Sequence, residues 1–336
     1  MLEAVIQAYV ETAEPAGSRT LSRRFPMGVS PATIRNTMSD LEDKGFLFHP
    51  HTSAGRVPTD KAYRAYVNSL VGFQPLSAPL RDQLAVELTT GGTAFESILR
   101  RAAQSIGVLT QELGVAMGPQ FDRCTLQRLE LAKLSSDRIL LVLTLSGGNM
   151  RTIFVEARTE IADDAVSEVA SVLNERLAGL TMREVRASLS ARLRDTSPRA
   201  ESAAELLNVF VQEGEQLFDV DGAASESAVV LGQAAVLAEQ PEFSSGENMR
   251  RLLELTDTRH HLAEVLRERG EQQGMTITIG NEHADPRLEQ FTVVTAEYRV
   301  GELSGVIGVI GPTRMPYEKI ISLVHHTSRL LTELLD

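Results

Sequence analysis

The segment SPATIRNTMSDLEDKG, residues 30–45, constrains the fold of this chain more than any other. Ser30 stands at a helix N-cap position and Pro31 at N1, where its missing N–H costs nothing and its fixed φ suits the first turn. The spacing predicts a helix to about Lys44, ended by Gly45 in the left-handed conformation that closes helices. Ile34, Met38 and Leu41 form the buried stripe. The opposite face carries Ala32, Thr33, Arg35, Asn36, Ser39 and Asp43. A helix serving only as solvated surface would more often carry Glu/Lys pairs four residues apart. These side chains instead suit base edges: Arg bonds guanine, Asn bonds adenine, and Ala or a Thr methyl touches the thymine methyl. Ala32, Thr33, Arg35, Asn36 and Ser39 are therefore the candidate base-reading residues.

The flanking sequence frames that helix. Leu2, Val5, Ile6, Tyr9, Val10 and Ala13 follow the spacing of an amphipathic helix, broken by Pro15-Ala16-Gly17. Ser18 is predicted to cap a short second helix to about Phe25. Pro26-Met27-Gly28 makes the next turn. After Gly45, Phe46-Leu47-Phe48 reads as a strand, Pro50, Ser53 and Gly55 as a loop tip, and Arg56-Val57 as the return strand, stopped by Pro58. Thr59 caps a fourth helix with Tyr63, Tyr66, Val67 and Leu70 on one side. Helices, a capped helix and then a basic hairpin make a winged helix-turn-helix. Its candidate contacts to the DNA backbone are Ser18, Arg19, Thr20, Ser30, His51, Thr52, Ser53 and Arg56, the last reaching phosphates or a minor groove. On these residues alone a protein-interaction module remains open, as does a solvated Arg56.

Charge supports nucleic acid once its placement is considered. The net charge of −12 argues against such a partner. Residues 15–66, however, hold eight Lys/Arg against four Asp/Glu, a balance of +4, and residues 1–70 hold eight against seven. A cationic module on an anionic body orients an encounter with DNA. The chain has 336 residues, 43% hydrophobic and 23% charged, which fits two or three globular domains. No run of about 18 apolar residues predicts a membrane span. No signal pattern follows Met1, so a cytoplasmic location is expected. Cys124, the single cysteine, excludes an internal disulfide framework or a cysteine metal cluster and reads as a small buried group.

Past a linker at Gly72–Pro79, residues 80–112 read as helical, broken at Gly91-Gly92. Strands are predicted at about 126–134, 138–145 and 150–157, an antiparallel meander turned by Ser135–Asp137 and Ser146–Asn149. Residues 161–220 read as helical and acidic. Val229–Leu231 starts either a strand or a helix. Helices resume over 247–270, strands at 275–280, 290–299 and 303–310, and a last helix spans about 316–335. Strands, helices, strands and helix in that order suggest a sheet interrupted by a helical insertion. The insertion is the candidate dimer surface, since symmetric DNA sites repeat by whole turns of about 34 Å.

The motifs of catalysis are not assembled. Gly301, Gly305, Gly308 and Gly311 match neither the Walker nor the dinucleotide spacing and read as close-packed strand glycines. His260-His261 and His325-His326 diverge across a helix surface, whereas helical metal ligands prefer i, i+4. No nucleophile, base and orienting acid come together, so no enzyme, catalytic residue, metal or cofactor is expected. Thr313-Arg314 is the best anion-binding candidate in the body, with an ion pair as the alternative.

The runs EPAGS (14–18), VSPATIRNTMSDLEDKGFL (29–47) and PHTSAGRVPTDKAYRAYV (50–67), with IGNE (279–282) and GVIGPTRMPY (308–317), resemble the HrcA family of heat-inducible transcription repressors. Family members carry extra residues before the first helix, whereas this chain starts inside it. Ala62 stands where the family usually has glycine, a change that a helix interior tolerates. The resemblance implies an α+β multidomain chain: a winged helix-turn-helix DNA-binding domain at 1–72, a linker at 73–80, a GAF-like α/β domain with an antiparallel sheet at 81–158 and 250–336, and a mainly helical dimerisation domain inserted at 159–249. It implies a homodimer that binds double-stranded DNA at an inverted-repeat operator. That operator lies upstream of chaperone operons of the groE and dnaK type, and the chaperonin GroEL acts as modulator. Two other classes stay open: a regulator whose GAF-like body senses a metabolite, and a protein-interaction scaffold.

Overall fold

The computed structural model describes the chain except for residues 52–53, 71, 73–74, 91–94, 120, 157–160, 197–199, 219–228, 258, 271, 273, 302 and 336, and the side chains of 215 and 259–260. Its first helices form where caps and apolar spacing place them: α1 (Leu2–Thr12), α2 (Ser18–Arg24) and α3 (Pro31–Asp43). Ser18 is the first residue of α2 and not its cap; Gly17 holds that position. β1 (Leu47–Phe48) and β2 (Val57–Pro58) form an antiparallel hairpin, followed by α4 (Asp60–Ser69) with Thr59 as its cap.

α5 (Ala78–Thr89) and α6 (Phe95–Thr110) follow. α5 thus takes up residues 78–80, the end of the expected linker. Next comes β3 (Leu113–Met117), then β4 (Leu126–Lys133), β5 (Arg138–Leu145) and β6 (Met150–Glu156). The helices α7 (Asp163–Leu177), α8 (Met182–Leu193) and α9 (Glu201–Leu217) lead to β7 (Val229–Leu231). The chain ends with α10 (Ala235–Ala238), α11 (Gly246–Asp257), α12 (Arg259–Gly270), β8 (Met275–Ile279), β9 (Phe291–Val300), β10 (Leu303–Pro312) and α13 (Tyr317–Leu335).

The result is an α+β chain with antiparallel sheets, divided into two units. The first unit takes 1–118, 229–298 and 305–336, and the second takes 119–228 with 299–304. A five-stranded sheet of order β7-β3-β10-β9-β8 organises the first. The sequence reading overlooked β3. All five of its residues are buried, so it lacks the alternation that marks a half-buried strand. Its glycine explains the tight fit of α6: a Cβ on Gly114 would lie 1.8 Å from the Ala103 carbonyl oxygen.

The meander 126–157 was expected in the sheet that the insertion interrupts. It instead forms its own three-stranded sheet, β4-β5-β6, within the second unit. Leu129, Ile139, Leu141, Leu143 and Val155 turn inward onto Val169, Leu173, Val185, Leu189, Leu206 and Phe210 of the three helices. Asn174 of α7 accepts from the Leu129 N–H at 2.9 Å and donates to the Leu129 carbonyl at 2.6 Å, pinning β4 to the helix. Periodicity shows that a segment is a strand, but not which strand it pairs with.

Candidate nucleic-acid interface

α1, α2, α3 and the hairpin enclose a small core of Ala4, Val5, Ala8, Leu21, Ile34, Met38 and Leu47. Burying Ile34 and Met38 turns the other face of α3 outward. Ala32, Thr33, Arg35, Asn36 and Ser39 are all exposed there. The helix start is fixed by the Thr33 N–H donating to the Ser30 hydroxyl at 3.1 Å, and the two hydroxyls lie 3.0 Å apart. Gly45 follows at φ +76, as the predicted terminator.

The run 14–18 and the hairpin are joined by an antiparallel bridge. Ala16 and Arg56 exchange both backbone hydrogen bonds at 2.9 Å. Gly55 makes this approach possible, because a Cβ there would lie 2.4 Å from the Ala16 backbone. Of the candidate backbone contacts, Arg19, Thr20, Ser30 and His51 are exposed and Ser18 is half-buried. Thr52 and Ser53 lie outside the described residues.

Arg56 does not extend from the hairpin as the sequence suggests. Its guanidinium folds back onto Glu42 of α3 at 2.7 Å and onto His49, leaving the side chain 14% exposed. A carboxylate on the neighbouring helix outcompetes solvent for a guanidinium that can reach it. Exposed cations on α2 and α3 include Arg19, Arg23 and Arg24 on α2, Arg35 on α3 and Lys44 at its C-cap.

α1 is apolar on two sides. Its second face, with α4, enters a core shared with the large sheet. Ile6, Ala62, Tyr63 and Val67 pack with Ile279, Val294, Val309, Met315, Tyr317 and Ile320. Tyr63 and Tyr317 place their ring centroids 5.7 Å apart. The Arg314 guanidinium, read from sequence as an anion site or ion pair, is an ion pair: it binds Glu242 and donates to the Val10 carbonyl at 2.6 Å.

Several buried polar groups were not found from sequence. Glu112 sits beneath Gly311, with Gln240 donating to its carboxyl at 3.1 Å; burial raises that carboxyl well above the usual range. Gly305 and Gly308 are the close-packed strand glycines expected, facing Tyr298 and Val294. Arg269, 8% exposed, donates to the Thr278 hydroxyl at 2.6 Å and more weakly to Val293 and Thr295. Burial lowers it to about 10. It lines a cavity of about 460 Å³ with Thr278 and His283 and the carboxylates Glu264, Glu268, Glu282 and Asp285. A lone arginine late in a helix gives no sequence signal that it turns inward. Among the described residues, no helix is long and apolar enough to cross a membrane.

A capped helix that offers mixed polar side chains beside a bridged hairpin is the candidate surface for reading nucleic acid. The particular family follows from comparison. The model described as "HrcA protein C terminal domain" matches residues 96–321. A heat-inducible transcription repressor HrcA from Chlorobium phaeobacteroides (strain BS1) is 38% identical, covering 100% of this chain and 97% of its own. That from Geobacter sulfurreducens is 35% identical, with 100% and 96% covered. The chain belongs to the HrcA family, whose members are transcription repressors and not enzymes. A crystal structure described as that of a hypothetical protein shares the fold, with a TM-score of 0.56 and 21% identity over 99% of this chain and 96% of that one.

Proposed function

We propose that this chain represses heat-shock chaperone genes in the cytoplasm by binding an inverted-repeat operator as a homodimer. Residues 1–72 act as its winged helix and the five-stranded sheet as a GAF-like domain. The observation that carries this reading is α3. A helix capped by Ser30 exposes Ala32, Thr33, Arg35, Asn36 and Ser39 together, while its apolar stripe anchors it. Arg35 and Asn36 suit guanine and adenine edges, and Ala32 and Thr33 suit thymine methyls. Ser18, Arg19, Thr20, Ser30 and His51, with Thr52 and Ser53 of the wing, take phosphates. Arg56 holds the wing to α3 through Glu42 and reaches phosphate only by exchanging that carboxylate.

Dimerisation falls to the open face of β4-β5-β6. Leu140 faces Phe154 across the strands, and Phe154 and Met150 are 59% and 62% exposed. The same face carries the exposed ion pairs Arg128–Glu130 and Arg138–Glu156, and exposed apolar side chains rimmed by charge in this way mark an interaction surface. The chaperonin GroEL acts as modulator. Fluorescence anisotropy across a salt series tests the whole reading. It would use duplexes carrying the chaperone-promoter inverted repeat or a scrambled copy, with and without chaperonin. Tight, repeat-selective binding is expected. Equal affinity for both duplexes, with or without chaperonin, would refute it.

One feature favours a second reading, a ligand-responsive regulator. Arg269 is buried at a cavity wall where its hydrogen-bond partners among the described residues are neutral, while Glu264, Glu268, Glu282 and Asp285 also line the cavity. A melting shift of the full chain with small carboxylates such as benzoate, absent in Arg269→Gln, would support it. No shift would remove it.

A further inference from the structure

The two C-terminal runs that match the family motifs, 279–282 and 308–317, contribute nothing to the exposed face of α3. Both instead meet the N-terminal helices. β8 ends at Ile279 and the chain turns through Gly280–Glu282. There the Asn281 backbone N–H and side-chain amide both donate to Asp60 Oδ2, at 3.0 and 2.9 Å. Gly280 has φ +52, and a Cβ on it would lie 2.1 Å from that same oxygen. Glu282 takes two bonds from Arg64, at 2.7 and 2.5 Å, while Arg64 also donates to the Ile277 carbonyl at 2.7 Å. Asp60 and Arg64 are one turn apart on α4, so a single helix face meets the whole turn.

The second meeting point is Arg314. α1 has no basic residue in its last turn, where its carbonyls lack helical partners. Arg314 supplies the missing donor through the Val10 carbonyl, and Glu242 holds the guanidinium in place. The apolar contacts between the two points are non-directional and fix no angle. Bidentate and charge-assisted bonds do fix one. The Arg64–Glu282 pair is about a third exposed, so solvent screens much of its energy and it contributes direction more than stability.

We propose that Asp60, Arg64 and Arg314 are positioning residues for operator recognition. They clamp α1 and α4 to the large sheet at two points, so that α3 keeps one orientation relative to the body. In a dimer this orientation sets which half-site spacing is accepted. The proposal rests on the DNA-binding reading above.

The test uses the full chain and Arg64→Gln, Arg314→Gln and the charge swap Arg64→Glu with Glu282→Arg. Anisotropy would be read on the chaperone-promoter inverted repeat, on one half-site, and on repeats with the spacer changed by about two base pairs. That change rotates one half-site by about 70°. The parent should prefer the native spacing by about tenfold or more, as expected when both half-sites must engage together. The two single variants should lose most of that preference with half-site affinity unchanged, and the swap should regain it. Unchanged spacing preference in both single variants overturns the proposal. So does a parallel fall on half-site and repeat, which marks simple destabilisation.

A readout without DNA separates the proposal from the reading it rests on. Spin labels at Asp43→Cys and Glu333→Cys, in a Cys124→Ser background and with the labelled chain diluted into excess unlabelled chain, should give one narrow distance within the protomer in the parent and a broad distribution in Arg64→Gln and Arg314→Gln. If the variants stay narrow, the clamp is refuted, whatever the protein binds.

Discussion

Arg35 is the residue on which the proposed base reading turns. It is exposed on α3, and its guanidinium matches the guanine edge. Arg35→Ala should lose about 1–3 kcal/mol on the inverted repeat and relax preference at one base pair. Equal loss on every sequence, measured by anisotropy on a set of single-base variants, would assign it to phosphate. One buried and one half-buried titratable group make opposite pH predictions. The Glu112 carboxyl is raised well above its ordinary range, by burial first, against the pull of Gln240 and Arg314. Its stabilising share is present at acid pH and lost as pH rises through the folded value. Glu112→Gln should therefore melt above the parent at pH 8 and lose that advantage toward pH 4. His283 is lowered, by burial and then by Arg269. Stability linked to it is full above the ordinary imidazole range and falls as pH drops below it. His283→Gln should flatten melting temperature between pH 7.5 and 5.5; an unchanged slope would show that His283 does not carry that loss.

At the scale of elements, α3 was readable because every local signal agrees. Cap, first-turn proline, apolar stripe and terminal glycine all name the same helix, and local consistency of this kind specifies structure. Ser30→Ala should cost about 1 kcal/mol of stability, read from denaturant melts, because the Thr33 N–H loses its acceptor. β3 was not readable, since a continuous buried run has no period to detect. Arg56 was readable as a hairpin residue but not as Glu42's partner, because the two lie 14 residues apart and meet only once α3 and the hairpin have packed. Arg314 shows the same limit more strongly: its acceptor, Val10, is 304 residues away.

For the whole molecule, the division of labour rests on two units, one with a shared core reaching from α1 and α4 into the large sheet and one with its own sheet and helices. The open face of the second unit carries the proposed dimer contact. Phe154→Asp places a charge on that face without touching the buried side of β6. It should give a monomer in analytical ultracentrifugation and weaken repeat binding by about a hundredfold or more, as the second half-site no longer binds through a tethered copy. A dimer that persists with full affinity would move the contact elsewhere. Single half-site affinity should be unchanged, since α3 is intact.

The sequence alone determined the elements whose signals are local: the four N-terminal helices, the hairpin, the exposed set on α3 and the cationic balance of the module. It also determined the family, through runs spread along the chain. Only the tertiary structure decided that the meander belongs with the second unit's helices and that β3 lies inside the large sheet. It alone showed that 279–282 and Arg314 grip the N-terminal helices. The physical reason is range. Caps, turns and periodicity act over a few residues and are written where they act, whereas strand partners, ion pairs and shared cores join segments that meet only when the chain has folded.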